Sequence, residues 1–369
     1  MTPALRSVQR WAAVAAATAV LVAGPIAVRA WPAQDRDVSA AELLATIEDN
    51  LDHPYSGYVE TQGTLQLPVA DRFTDVGDLF GSTTRMRVWW RSDDAWRVDK
   101  LLATGETDLI HNVQGTTRWR YEQNDADLSH DPAIRLPRTA DLVPPAVADL
   151  LLEGVDPSEV RRLPAVRVAG VDALGLRMSP AVRQSSIDPV AAWVDPGRGV
   201  VLRVVVVGKG SDNPAFTSEF AEFSAATPPA ERTTFVPPPG ADFDFDEVLD
   251  IADAANQYAP VVPPDTVAGL VKAPEADRAV GIYGSGVTRL LAIPLRDREA
   301  DPLREQLRIT PGVRTVPQGT LVTIGPLGVL MGGDDEQGGW LVAGTVTADT
   351  LTRAVEDLYR GTVVVGDGR

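Results

Sequence analysis

Three short segments contain residue types that could do chemistry, but none has the spacing that the chemistry needs. Gly281-Ile-Tyr-Gly-Ser-Gly286 has a serine between glycines, whereas a nucleophile elbow requires Gly-x-Ser-x-Gly. Gly208-Lys-Gly210 lacks the rest of a phosphate-binding loop. The acidic run at residues 242–247 lacks the ligand register of a calcium-binding hand. We therefore predict two turns and a solvated linker at these places, and no catalytic residue.

Composition excludes several further classes of site. Cysteine is absent, which excludes disulfides, thiolate nucleophiles, zinc–thiolate sites and iron–sulfur clusters. The three histidines, His53, His111 and His130, are not at metal-ligand spacing, and His111 is interpreted as a hydrogen-bonded structural residue of a strand. The net charge of −17 opposes nucleic-acid binding, which needs a concentrated basic surface. We predict no metal, no cofactor and no enzymatic activity, since an enzyme would need a converging polar cluster that the sequence does not display.

The amino terminus indicates the compartment. Arg6 and Arg10 precede an apolar run over residues 11–28, which is close to the shortest helix that crosses a bilayer at ~1.5 Å per residue. The same pattern is typical of a secretory signal, with a weak cleavage site after Ala30. We predict that residues 1–33 are either a signal peptide or a membrane anchor. The remainder is then extracytoplasmic, anchored to the cell membrane or secreted to the cell envelope.

The segment from residue 38 to residue 226 has the pattern of an antiparallel sheet with few helices. Ser39-Ala-Ala-Glu42 is a capping-box pattern and predicts a helix over 40–51. Alternating strand patterns with short turns follow, interrupted by one predicted helix near 145–152. Short turns between successive strands predict antiparallel pairing.

The composition then changes twice. Residues 227–264 are rich in proline and acidic residues, which predicts a linker with one short helix near 245–255. Residues 265–369 carry further strand patterns, a polar helix near 301–307 and an amphipathic helix over 348–359. This last part is predicted to be a small α+β domain.

Alternation within neighbouring strands predicts one apolar face on the large sheet. Its candidate residues are Met86, Val88, Trp90, Trp96, Val98, Trp119, Tyr121, Leu176 and Met178. A long antiparallel sheet must cover such a face. Two interpretations remain open: helices and loops fill the face as an ordinary core, or they cover part of it and leave a cavity for an apolar ligand.

The loop over residues 68–82 is too long for a tight hairpin. Apolar residues recur in it at roughly helical spacing, namely Phe73, Val76, Leu79 and Phe80. It is interpreted either as a lid over a groove or as a packed surface loop.

The order of several segments resembles a known family. The segments are Ala41-Glu-Leu-Leu-Ala-Thr-Ile-Glu-Asp-Asn-Leu51, Tyr55-Ser-Gly-Tyr-Val-Glu-Thr61, Ala191-Ala-Trp-Val-Asp-Pro-Gly-Arg-Gly-Val-Val-Leu-Arg203, Phe220-Ala-Glu-Phe-Ser224, Gly286-Val-Thr-Arg-Leu-Leu-Ala-Ile-Pro294 and Trp340-Leu-Val-Ala-Gly-Thr-Val-Thr-Ala-Asp-Thr-Leu-Thr-Arg-Ala-Val355. Together with the Trp/Arg-rich hairpins between them, they are similar to the LolA-like lipoprotein-carrier superfamily. The likeness is greater to its MucB/RseB branch, the sigma-E factor regulatory proteins, of actinobacterial type. It extends over most of residues 38–360.

The resemblance implies a fold and a function. The fold would be α+β: an antiparallel half-barrel sheet wrapped over helices, with an apolar concave face, followed by a small α+β carboxyl-terminal domain. Members bind acyl chains of lipoproteins or lipopolysaccharide. The regulatory branch also binds the outer part of a membrane anti-sigma factor and controls its proteolysis. The family supplies no catalytic residues.

Two functional hypotheses follow. The first is an extracytoplasmic, non-enzymatic protein that binds a lipid or an acylated lipoprotein in an apolar cavity, with a sensor role as an option. The alternative is a regulatory protein that binds the extracytoplasmic part of a membrane anti-sigma factor through its carboxyl-terminal domain. The two are compatible, because a lipid could be the signal that releases the partner. Either protein would be membrane-associated through residues 11–28 if these are not cleaved.

Overall fold

The computed structural model describes most of the chain after the amino-terminal segment. The described residues are 32–50, 52–65, 74–132, 134–245, 248, 250–274, 278–334 and 338–365, with the backbone alone for 74–76. The predicted signal or anchor, apart from its last two residues, lies outside them. Among the helices that are described, none is both long and apolar enough to cross a membrane.

Eleven strands and three helices form the first part of the chain. The helices are α1 (Ala40–Glu48), α2 (Thr74–Gly81) and α3 (Pro144–Leu152). The strands are β1 (Tyr55–Gly63), β2 (Thr83–Ser92), β3 (Ala95–Leu102), β4 (Gly105–Asn112), β5 (Gly115–Arg120), β6 (Asp125–Ser129), β7 (Val160–Val168), β8 (Val171–Met178), β9 (Ile187–Val194), β10 (Val201–Gly208) and β11 (Pro214–Ser224).

Helix α1 begins where the sequence pattern predicts it. The Ser39 hydroxyl accepts a hydrogen bond from the Glu42 backbone N–H at 3.2 Å, and the Glu42 carboxylate accepts one from the Ser39 N–H at 2.9 Å. This capping box satisfies two backbone donors that a helix start leaves unpaired.

The second part of the chain is a smaller α+β unit. Its helices are α4 (Ile251–Asn256), α5 (Asp297–Arg308) and α6 (Ala348–Gly361). Its strands are β13 (Val261–Val262), β14 (Thr266–Val267), β15 (Leu270–Val271), β16 (Gly281–Ser285), β17 (Thr288–Leu295), β18 (Arg314–Val316), β19 (Gly319–Ile324), β20 (Leu327–Gly332), β21 (Gly339–Gly344) and β22 (Val363–Val364). Strand β12 (Asp242–Phe245), which precedes this unit in the chain, pairs with the large sheet.

Twelve strands form one open sheet, in the order β12-β6-β5-β4-β3-β2-β1-β11-β10-β9-β8-β7. Its strand pairs are antiparallel, except that β12 runs parallel to β6. The first and last strands remain edges, so the sheet is not closed into a barrel. The structure thus confirms the predicted α+β class with a large, mostly antiparallel sheet.

Two helices cover one face of this sheet, called here the inner face. Helix α1 contributes Leu43, Leu44 and Ile47 to the core, and α3 contributes Val147 and Ala148. All five side chains are buried, and they form one cluster with the apolar residues of the strands. The amphipathic spacing of α1 therefore places its apolar side chains against the sheet, as the sequence suggests.

The smaller unit has three layers around a six-stranded antiparallel sheet, ordered β16-β17-β21-β20-β19-β18. Helix α6 buries Leu351 and Leu358 on one face, in a cluster that includes Leu321 of β19. Helix α5 buries Leu307 on the other face, against Val322 of the same strand. Neighbouring residues of one strand point to opposite faces, which explains this division.

Residues 227–241, called here the strap, cross the other face of the large sheet, the outer face. The Arg91 guanidinium donates to the Pro228 carbonyl oxygen, and the Arg232 guanidinium lies 5.5 Å from the Trp89 ring. Further along, the Phe235 ring lies 5.6 Å from the Trp119 ring. The proline-rich part of the predicted linker is therefore packed against the sheet.

The acidic segment that follows the strap was expected to be solvated linker leading into a helix. Instead, Asp242–Phe245 forms strand β12 on the edge of the large sheet, and helix α4 starts only at Ile251. Residues 242–245 form a strand because the edge of β6 offers unpaired backbone groups that an extended segment can pair with.

Backbone hydrogen bonds join the large sheet to the smaller unit. The Thr347 N–H donates to the Gln184 carbonyl oxygen at 2.8 Å, and the Ser186 N–H donates to the Thr345 carbonyl oxygen at 3.2 Å. An ion pair between Arg289 and Glu153 lies nearby. The contact between the two units therefore includes backbone pairing as well as side chains.

Truncation of an inward-facing residue of α1 should destabilise the protein. Leu44 is 2% exposed, so Leu44→Ala should lower the free energy of unfolding by about 2–5 kcal/mol. Glu48→Ala, an exposed position on the same helix, should change it by less than about 0.5 kcal/mol. Denaturant unfolding followed by circular dichroism measures both. Equal effects of the two substitutions would show that α1 does not hold the inner face.

Candidate functional site

The inner face is the candidate ligand surface that the sequence points to. Met86, Val88 and Trp90 alternate along β2 and share this face, as predicted. Across β3, Val88 is paired with Val98, and Trp90 is paired with Trp96. Toward the far end of the strand order, Leu176 and Met178 of β8 lie on the same face and belong to the same buried cluster.

The protein's own side chains fill this face. Met86, Val88 and Val98 are each 0% exposed, and the side chains of α1 and α3 lie over the sheet. The space left between Ile47, Tyr55 and Val201 is about 10 Å³. Such a space holds at most one water molecule. Of the two interpretations, the structure as it stands favours the packed core.

Two of the nine predicted residues do not join the inner face. Trp119 is buried on the outer face, in a cluster with Ile110 and Ala126, and Tyr121 lies in the turn after β5 with 69% of its surface exposed. Alternation within β5 was predicted correctly, but its phase relative to β4 was not. Trp119 is paired with Asp108, whose side chain points outward, and paired residues share a face.

The predicted lid corresponds partly to helix α2. Leu79 is 2% exposed and belongs to the inner core, and the Phe80 ring lies 5.6 Å from the Phe216 ring. Phe73 and the side chain of Val76 lie outside the described residues. In this structure, the described part of α2 closes one end of the inner face.

A ladder of four rings crosses the inner face from β1 to β4. Tyr55, Trp90, Trp96 and His111 occupy directly paired positions on successive strands. Successive ring centroids are 5.9, 5.4 and 5.1 Å apart, and the interplanar angles are 10° or less. Stacked cross-strand pairs of this kind stabilise strand register. Composition alone indicates the tryptophans, but the strand register is needed to add Tyr55 and His111.

His111 has a structural role at the end of the ladder. Its Nδ1 lies 2.9 Å from the Thr116 hydroxyl, and the Arg138 guanidinium lies 5.3 Å from the neighbouring Trp96 ring. Burial lowers the pKa of His111, so the ring is neutral at neutral pH. The geometry therefore agrees with the interpretation of His111 as a hydrogen-bonded structural residue.

The outer face carries a compact cluster of charges that sequence reasoning missed. The carboxylates of Asp99, Glu106 and Asp108 lie within 4.8 Å of one another. Such a group could hold a cation, but two guanidinium groups already lie among them. Arg97 contacts Asp99 at 2.5 Å and Asp108 at 2.7 Å, and Arg87 pairs with Glu106. The arrangement therefore fits a neutralised ion-pair cluster better than a metal site.

Asp108 lies at the centre of the pairing between β3 and β4 in this cluster. It is 2% exposed and lies directly opposite Asp99 on the neighbouring strand. Burial raises the pKa of Asp108 to about 8, and the nearby Asp99 carboxylate acts in the same direction. Three carboxylates share two guanidinium groups, so one bound proton makes the cluster neutral.

The two glycine-rich segments considered for catalysis or phosphate binding form a strand and a turn. Gly281–Ser285 is strand β16, followed by the hairpin turn at Gly286. Gly208-Lys-Gly210 forms the turn between β10 and β11. The prediction of a plain turn is therefore correct for Gly208-Lys-Gly210, whereas most of Gly281–Gly286 is strand.

An open groove of about 550 Å³ lies on the smaller unit, between α6 and the strand ends below it. It is lined by Pro317, Gln318, Gly333, Asp334, Val355, Glu356, Tyr359 and Arg360. Tyr359 is 54% exposed and supplies an aromatic surface, with charged groups of both signs around it. Gly333 has a φ of +91°, and a Cβ atom there would lie 3.0 Å from the Tyr359 hydroxyl. Glycine is thus needed for the wall of the groove.

Solved structures of known proteins are similar to the chain, and the likeness is one of fold. No model of a known protein family matches the chain, and no curated protein matches it. The chain is similar to a chain of the MucA/MucB complex of Pseudomonas aeruginosa, with 16% identity, 88% of this chain and 98% of that chain covered, and a TM-score of 0.48. For MucB in complex with MucA(peri), the values are 14%, 88%, 98% and 0.46. For a LolA superfamily protein from Nitrosomonas europaea, they are 9%, 54%, 98% and 0.27. The structural neighbours thus include MucB and LolA-superfamily proteins, the groups that the sequence resembles.

Replacement of Asp108 should change how stability depends on pH. A carboxyl group with a raised pKa holds its proton more tightly in the folded state, so its stabilising contribution is lost as pH rises from about 4 to about 8. Asp108→Asn keeps a neutral hydrogen-bonding group at this position. We expect the free energy of unfolding of the variant to fall less than that of the wild type between about pH 5 and about pH 9.

Denaturant midpoints across that pH range measure the difference. Asp212→Asn removes an exposed carboxylate and should leave the wild-type pH profile unchanged. If Asp108→Asn and wild type lose stability in parallel, Asp108 does not hold a proton in the folded protein.

Proposed function

We propose that the protein is an extracytoplasmic, non-enzymatic regulatory protein that binds a segment of a membrane-anchored partner protein. In this proposal, residues 38–226 and 265–369 act as two domains joined by the strap and β12 within residues 227–264. The partner is the extracytoplasmic part of an anti-sigma factor, the class that the sequence resemblance to the MucB/RseB branch implies. No catalytic step is assigned to any residue.

The observation that carries the proposal is the contrast between two surfaces. The inner face of the large sheet, where an apolar ligand was expected, is filled by the side chains of α1 and α3. The groove beside α6 is open and has a volume within the range of binding sites. Protein interfaces favour an exposed aromatic residue within a charged rim, and Tyr359 between Glu356 and Arg360 supplies one.

The shape of the groove suits an extended peptide. Its walls are the last turns of α6 on one side and the β18–β19 turn on the other. The Gln318 side chain donates to the Glu356 carboxylate at 2.6 Å, which ties the two walls together. A partner segment that inserts an apolar side chain beside Tyr359 would find polar groups on both sides for its backbone.

Capture of the partner tests this proposal. The immobilised full chain is incubated with detergent-solubilised membranes of its own organism, and bound proteins are identified by mass spectrometry. We expect a membrane protein with an extracytoplasmic segment to be captured. Tyr359→Ala should weaken its binding by about tenfold, the effect of losing a moderate aromatic hot spot.

Arg353→Ala is the matched control, since Arg353 is exposed on the same helix and does not line the groove. It should leave capture unchanged. Failure to recover any membrane protein, or equal capture by the Tyr359→Ala and wild-type chains, would contradict the proposal.

A second candidate function, binding of an acyl chain, is favoured by one observation. Helix α2 is short and closes one end of the inner face through Leu79 and Phe80. In this hypothesis α2 is the lid, and an acyl chain enters by displacing Leu79 from the core and Phe80 from Phe216. About a dozen buried methylenes return on the order of 10 kcal/mol before the costs of opening.

The lid hypothesis makes a directional prediction. Because Phe80 would compete with the acyl chain, Phe80→Ala should increase the affinity for a fluorescent fatty acid several-fold, whereas Tyr121→Ala, at an exposed turn, should not. Native mass spectrometry of the protein purified from its own membranes should show a bound lipid. If no lipid is present and neither protein binds the probe, the lipid hypothesis is lost and the protein-binding proposal is unaffected.

A further inference from the structure

Strand β12 sits on the edge of the large sheet with few favourable contacts. It has four residues, all of them exposed, and it pairs in parallel with β6. Phe243 is 43% exposed and Phe245 is 76% exposed, with ring centroids 6.3 Å apart. Burial of apolar surface is the main stabilising term in strand docking, so β12 gains little from it.

The pairing of β12 with β6 also places like charges side by side. Asp242 is paired with Asp125, and Asp244 is paired with Asp127. Paired residues on neighbouring strands share a face, and like charges at such positions are destabilising. The register thus aligns two pairs of carboxylates along this edge.

The positive charge nearby is insufficient to neutralise them. The Arg120 guanidinium contacts Asp125 at 2.6 Å and Asp127 at 2.5 Å, so it is already committed to β6. This contact lowers the pKa of Asp125, which is therefore ionised at neutral pH. Arg118 is paired with Asp127 across β5 and β6 and supplies a second guanidinium group at this edge. At these paired positions, two guanidinium groups thus face four carboxylates.

Contacts before β12 and at its first residue bring the strand to this edge. The Asn124 side chain donates to the Gly240 carbonyl oxygen at 2.8 Å, and the Asp242 N–H donates to the Asn124 carbonyl oxygen at 3.1 Å. Upstream, Phe235 packs on Trp119. The strap can therefore stay in place while β12 itself leaves the edge.

We propose that the edge of β6 is a docking site for an extended segment of a protein partner that carries lysine or arginine at alternate positions. The acidic strand β12 is a weakly bound occupant that this segment displaces. The partner's basic side chains would lie beside Asp125 and Asp127, and its intervening apolar side chains would lie beside Ala126 and Leu128. Addition of a strand to an exposed sheet edge is a known mode of peptide recognition.

The net charge of −17 favours approach of a basic segment over an acidic one. This site is distinct from the groove beside α6, so the inference stands apart from the proposed function. A partner can satisfy either site alone.

Two labelled peptides test the inference on the full chain by fluorescence anisotropy. One has the sequence Ala-Asp-Phe-Asp-Phe of residues 241–245, and the other has Lys in place of both Asp; both are capped at their termini. We expect the Lys peptide to bind about tenfold more tightly at low ionic strength, because two repulsive pairs become attractive ones. The preference should shrink in about 0.5 M salt.

Variants of β12 locate the binding. Asp242→Lys with Asp244→Lys should hold the chain's own strand on β6 and lower the affinity for the Lys peptide about tenfold. Asp212→Lys with Asp253→Lys makes the same change in net charge at exposed positions away from β6 and should have a much smaller effect. Circular dichroism confirms that both variants are folded.

Hydrogen exchange supplies an independent readout. Saturation with the Lys peptide should increase amide exchange in residues 243–245, because β12 is released. Equal affinity for the two peptides, an undiminished affinity in the Asp242→Lys, Asp244→Lys variant, or unchanged exchange in β12 would each overturn the proposal.

Discussion

Leu43, Leu44 and Ile47 of one helix, and Val147 and Ala148 of another, take the inner face of a twelve-stranded sheet out of water. The remaining architecture follows from this burial. An open antiparallel sheet of this width is stable only if one face is covered, and two helices inserted among eleven strands meet that need. The same contacts fill the space in which an apolar ligand was expected. A ligand at this face would therefore have to displace side chains of the protein's own core. Helix α2, at the end of the face, contributes Leu79 and Phe80 to it.

The outer face is organised by a different interaction. Arginine and carboxylate side chains alternate across β1 to β4, and their ion pairs replace an apolar cover over much of this face. Where apolar residues do reach it, at Trp119 and Ile110, the strap covers them. The strap leads into β12, whose aspartates lie beside the aspartates of β6 at the edge of the sheet. The sheet thus has one face committed to its core, one face committed to ion pairs and the strap, and an edge that is weakly occupied. The groove beside α6 is open, whereas the space beneath the sheet is filled by the protein's own side chains.

Much of the architecture could be predicted from local patterns. The capping box at Ser39 marks the start of α1, and alternation identifies the face shared by Met86, Val88 and Trp90. The position of α6 also follows from periodicity. The candidate site could be predicted from the sequence only in part. Trp119 was assigned to the wrong face, because alternation is a property of one strand whereas its phase relative to the next strand depends on the turn. The cluster of Asp99, Glu106 and Asp108 was missed because its members come together only through the pairing of β3 with β4.

By itself, the sequence determined the element types, the amphipathic faces, the lack of cysteine chemistry and the strongly acidic balance, because each of these depends on residues within a few positions of one another or on composition. Tertiary structure decided how those faces are used. It placed α1 and α3 on the inner face, put the proline-rich strap on the outer face, and set β12 against β6 with carboxylates side by side. These outcomes depend on contacts between residues that are far apart in the chain. Their free energies come from competition among alternative partners for the same surface, and no local pattern records that competition.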